Sequence, residues 1–150
     1  MGFNFEKMRT LGLLFALFYL SWDGVAQENN LDQLAFVANV PGVKALSSKE
    51  VVQIFRNGRS LWPTGEKVII VLPSNKSDFS EIVARNLYGG NVTTMQKFWL
   101  ALVFQGRANP PVFFQSSEEI LAYVAKNPGA IGVLPKSSIQ SPIPFLLTII

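Results

Sequence analysis

The chain has 150 residues, of which 49% are hydrophobic and 15% charged, with a formal net charge of +3. This composition excludes a disordered or heavily solvated chain, and the length gives one domain able to bury a core without disulfides or metals. The absence of cysteine and histidine excludes thiol chemistry, zinc sites of the usual Cys/His type and a Ser-His-Asp triad.

Other classes fall away on pattern. Basic residues are scattered singly and nowhere cluster beside aromatics, so the footprint of a nucleic-acid binder is missing. Asp78, Glu81, Glu118 and Glu119 do not stand at metal-ligand spacing. No cofactor motif occurs, and no catalytic constellation survives, so the chain reads as a non-enzyme.

Lys7 and Arg9 precede the uncharged run Leu11 to Leu20, LGLLFALFYL. Ten residues are too few to span a bilayer, which takes about 20, but they match the apolar region of a secretory signal. Gly24-Val25-Ala26 then places small residues at the two positions a signal peptidase reads, with cleavage before Gln27. The reading is a signal peptide over 1–26, a domain over 27–150 and no stable membrane anchor after cleavage. An uncleaved anchor or a core helix are the alternatives for the same run.

In the mature chain, Leu34 to Val40 is a continuous apolar run closed by Pro41-Gly42, as expected of a strand covered on both faces. Ser47 and Glu50 form a capping box for a helix that Asn57-Gly58 stops. Lys67 to Leu72 predicts a second buried strand, broken by Pro73. Ser77 or Asp78 is the expected cap of the next helix, which Gly89-Gly90 ends. A box at Thr93 and Gln96 opens a third helix, and one at Ser116 and Glu119 a fourth that stops at Asn127-Pro128-Gly129. Ala130 to Leu134 reads as a third strand and Phe145 to Ile150 as a fourth. Helices between strands imply an α/β sandwich with a mostly parallel sheet of about four strands.

Four stretches of this order resemble one lobe of the phosphate-binding proteins of ABC transporters, a branch of the type II periplasmic binding proteins. They are LAFVANVPGVKALSSKEVVQIFRNGRSLWPTG (34–65), KVIIVLPSNKSDFSEIVARNLYG (67–89), KFWLALVFQGRANPP (97–111) and NPGAIGVLP (127–135). The resemblance implies a periplasmic solute-binding fold holding a small oxyanion such as phosphate. Helix N-termini, hydroxyls and an arginine are the expected donors. On it, Asn39, Ser74, Asn75, Ser77 and Arg107 are the candidate ligand-binding residues, with Asn39 and the Ser74–Ser77 loop expected at one edge of the sheet. Helix capping accounts for Ser77 equally well, while a turn-backbone role for Asn39 and a solvated-loop or helix-end role for Arg107 are favoured over ligand contact.

Two departures bear on the ligand. The family's Ser-Gly-Thr turn aligns with Ser77, Asp78 and Phe79, which sets a carboxylate where glycine lets backbone approach the anion. The length provides one lobe, so a protein partner or a second copy would complete the cleft. The alternative function is an interaction module docking on an envelope, sensor or transport complex, favoured by the apolar C-terminal PIPFLLTII.

Overall fold

Covering both faces of a short sheet requires strands without polar alternation, and three strands here are of that kind. β1 (Leu34–Ala38) and β5 (Ala130–Pro135) are buried throughout, and β3 (Ile69–Pro73) nearly so. The computed structural model describes residues 30–140 and 142–150. The signal-peptide expectation lies outside the described residues. No helix among the described residues is long and apolar enough to cross a membrane.

The strand order is β1-β5-β3-β4, with β4 at Val112–Phe114. β3 runs parallel to both β5 and β4, while β1 pairs antiparallel with β5. The sheet is therefore mostly parallel, as expected. Helices α1 (Ser48–Asn57), α2 (Ser80–Tyr88) and α3 (Val92–Phe104) cover one face. Helix α4 (Ser117–Lys126) covers the other, through Ile120 and Val124 against Val37, Val71 and Leu134. Alternate strand residues divide between the two cores: Phe36, Leu72 and Ile131 face the first, Val37 and Val71 the second.

Two capping boxes form as the sequence implies. Glu50 and Ser47 exchange bonds at α1, as do Glu119 and Ser116 at α4. Two helix starts differ. Helix α3 begins a residue before Thr93, because Asn91 accepts from the Thr94 N–H at 2.9 Å and takes the cap. Helix α2 is capped by neither Ser77 nor Asp78. Its N-cap is Phe79, and no side chain bonds there.

The C-terminal segment also departs from expectation. Only Thr148–Ile149 is strand (β6), and it pairs in parallel with β2 (Ala45–Leu46) in a separate two-stranded ribbon. Before it, the Ala38 N–H donates to the Phe145 carbonyl at 2.9 Å and the Leu147 N–H to the Phe36 carbonyl at 2.8 Å. The apolar tail thus covers the outer edge of β1 and buries Leu147. It does not present a free edge of its own. Among the described residues, no strand pairs with the outer edge of β4.

Candidate functional site

The candidate residues divide between the two ends of the sheet. Ser74, Asn75 and Ser77 follow the carboxyl end of β3. Asn39 follows β1, and because β1 is antiparallel it lies beside Ala130, at the amino end of β5. Arg107 is in the α3–β4 loop, before the amino end of β4, where the neighbouring Ala108 packs against Gly58. The expectation that Asn39 and the Ser74–Ser77 loop share an edge is therefore corrected. Strand direction decides it, and direction is not written in a local hydrophobic run.

At the amino end, Asn39 is bound into the framework. Its side-chain amide donates to the carbonyls of Val124 and Ala125, both at 3.1 Å, satisfying the last turn of α4. Its backbone carbonyl accepts from Gly129 at 2.8 Å. The Gly129 carbonyl in turn accepts from the Trp62 indole at 2.9 Å. Gly129 has φ +85, and a Cβ there would stand 2.2 Å from the Lys67 carbonyl oxygen. Only glycine fits that approach. Arg107 is exposed, with its guanidinium 3.4 Å from the Gln105 side-chain oxygen.

The carboxyl-end turn is built differently. The Ser74 N–H donates to the Phe114 carbonyl at 2.7 Å, which fixes the start of the turn to β4. The Ser77 N–H returns to the Ser74 carbonyl at 3.0 Å, and the Lys76 N–H donates to the Ser74 hydroxyl at 3.3 Å. A hydroxyl accepting in this way keeps its own proton for another acceptor. Ser80 donates through both its N–H and its hydroxyl to the Ser77 carbonyl. Ser77 is only 6% exposed, and its hydroxyl oxygen is buried with no hydrogen-bond partner among the described residues. Such an orphan is uncommon and costs roughly 1–3 kcal/mol. Asn75, Lys76 and Asp78 are exposed around it.

From this turn an apolar groove of about 410 Å³ runs between α3 and β4. Trp99 and Val103 form one wall, Pro111 and Phe113 the other, with Ser74 and Asn75 at its end. The Trp99 indole is fixed by donating to the Tyr88 hydroxyl at 2.8 Å. Burial pushes that phenol well above its ordinary pKa, and the bond from Trp99 only partly opposes the rise. Among the described residues no group of acidic side chains could hold a metal ion.

Solved structures share this architecture. PstS from Borrelia burgdorferi superposes with a TM-score of 0.58 at 12% identity, over 78% of this chain and 47% of its own. An ABC-type phosphate transport receptor from Vibrio cholerae gives 0.53 at 16% identity, over 78% of this chain and 45% of its own. The fold is similar to that of one lobe of these proteins. This chain spans less than half the length of either protein. No family model and no curated protein matches the sequence.

Sequence reasoning missed the α3–β4 groove, because β4 has only three residues and follows Pro110-Pro111. Of the two roles expected for Ser77, ligand binding or helix capping, the cap does not form, and its hydroxyl lacks the partner that capping would have supplied.

Proposed function

We propose that this protein is a periplasmic, non-enzymatic solute-binding lobe that holds a small oxyanion such as phosphate at the β3–α2 turn. The observation that carries this reading is the buried, unpartnered Ser77 hydroxyl beneath a helix start with no side-chain cap. An oxyanion at that start would accept from the orphan hydroxyl and from the free N–H groups of the first turn, with the helix dipole in its favour. Ser74 keeps a proton to donate, and Asn75 and Lys76 lie exposed alongside. Because the Ser77 oxygen is covered, capture requires the 74–78 turn to shift slightly. Asp78 and Glu81 at the same helix start oppose an anion, so binding is weak in the isolated lobe.

A single lobe offers a rim rather than a closed cleft. A second surface, from another copy or from a protein of a transport system, completes it. Asn39 and Arg107 act in the framework and in the α3–β4 loop, away from the ligand. Calorimetric titration of the purified protein with phosphate and with sulfate tests the reading. Saturable heat at millimolar anion is the expected result. Its absence for both anions removes the ligand.

A second reading, an interaction module without a small ligand, is favoured by one feature. Leu100 on α3 and Phe113 on β4 are exposed along the groove, beside a sheet edge that no strand among the described residues pairs with, and Phe104 on α3 is exposed as well.

A further inference from the structure

The tail that covers β1 turns sharply before it docks. Pro144 and Phe145 form that turn. Phe145 has φ 69, and no other non-glycine among the described residues has a positive φ. Turns usually give such a position to glycine or asparagine, and a bulky side chain there is strained. The residues just before it favour the opposite course. Pro142 and Pro144 hold their own φ at about −65°, and Ile143, standing before a proline, is steered to extended backbone. Local preference therefore runs straight through 142–145, and the docked tail bends it back at Phe145.

What holds the bend is a set of main-chain bonds to one short stretch. Phe145 and Leu147 are bonded to Ala38 and Phe36. Beyond them, the Thr148 N–H donates to the Lys44 carbonyl and the Ile150 N–H to the Leu46 carbonyl, both at 3.0 Å. The Ser48 N–H donates to the Ile150 carbonyl at 3.1 Å. Leu147 adds a buried side chain. Ile143, ahead of the turn, packs against the core under α4, so the strained pivot joins two anchored parts. All these main-chain partners lie within residues 36–48, and a second copy presents the same stretch. A tail docked there would make the same bonds while Phe145 returned to extended backbone. From this conflict between local preference and docking we infer that two copies of the chain exchange their 145–150 segments. Each tail then lies along β1 and β2 of the other copy.

The inference does not rest on anion binding at the β3–α2 turn. Size-exclusion chromatography with light scattering, over a range of protein concentrations, reads the monomer–dimer equilibrium. The parent is expected to form a dimer as concentration rises. Phe145→Gly, which accepts the positive φ, should weaken that dimer at least about tenfold. Phe145→Pro, which cannot adopt it, should tighten the dimer at least about tenfold. Phe145 and Leu146 are exposed, so association through an apolar patch is the competing explanation. Both substitutions remove the phenyl ring and would weaken such a patch alike. Circular dichroism checks the fold of each variant. A second measurement reports which copy supplies the tail. The chain has no cysteine, and Ala45 pairs with Thr148 across β2 and β6. The double variant Ala45→Cys, Thr148→Cys, oxidised and run on a non-reducing denaturing gel, should therefore give a covalent dimer. A parent that stays monomeric up to millimolar concentration overturns the inference. So does a shift of both Phe145 variants in the same direction, or a double variant that gives no covalent dimer.

Discussion

Replacing Ser77 by alanine should make the protein more stable and less responsive to phosphate. The hydroxyl is buried with no partner among the described residues, a state that costs roughly 1–3 kcal/mol. Alanine removes the orphan oxygen, leaves a gap smaller than a methyl group, and keeps the backbone bonds to Ser74 and Ser80. Allowing for lost contacts, the expected gain is about 1 kcal/mol. With a urea m-value of about 2 kcal/mol/M, the unfolding midpoint rises by about 0.5 M. Phosphate at ten times its Kd should stabilise the parent by about 1.4 kcal/mol, from the linkage relation. S77A should show much less of that increment. Urea titrations of both proteins, with and without phosphate, measure all four values. If S77A is destabilised without anion, the hydroxyl has a structural role and the reasoning is wrong. If both proteins gain equally from phosphate, the hydroxyl is not a ligand.

Three further outcomes follow from named contacts. Asp78→Asn should tighten phosphate binding about two- to fivefold, since one charge at a helix start is worth ~0.3–1 kcal/mol; calorimetry reads it, and unchanged affinity places the anion elsewhere. Gly129→Ala, which combines positive φ with a Cβ driven onto the Lys67 carbonyl, should cost more than about 3 kcal/mol or prevent folding. Thermal unfolding decides this, and a loss below 1 kcal/mol would contradict the packing. The Ser47 backbone N–H, its hydroxyl and, less strongly, Arg59 hold Glu50 below the usual carboxylate range. Its contribution is complete above the ordinary carboxylate pKa and is lost as pH falls through the lowered folded value. The α1 amides should therefore lose protection from exchange on acidification, and Glu50→Gln should flatten that dependence.

How much could be read in advance depended on the range of the determining contacts. The boxes at Ser47 and Ser116 were legible because donor and acceptor lie three residues apart. The buried strands were legible because a sheet covered on both faces leaves no polar alternation. Asn91 displaced Thr93 as a cap through competition between adjacent side chains that spacing alone cannot rank. The strands of two and three residues, β2 and β4, carry too little pattern to register, and the apolar run 145–150 reads as one strand although only Thr148–Ile149 within it is strand. Asn39 was set at the wrong edge because its position depends on β1 running against β5. That pairing joins residues about a hundred positions apart, and neither strand's composition encodes it. Ser74, Asn75 and Ser77 stayed together because one turn holds them. What the sequence could not reveal is that the Ser77 hydroxyl is buried with no partner among the described residues.

The position of the anion is open to direct measurement. In a two-dimensional amide NMR titration with phosphate, the account predicts shifts concentrated at residues 74–82, with Asn39 and Arg107 unmoved. Shifts centred on Asn39 or Arg107, or none at millimolar phosphate, would contradict it.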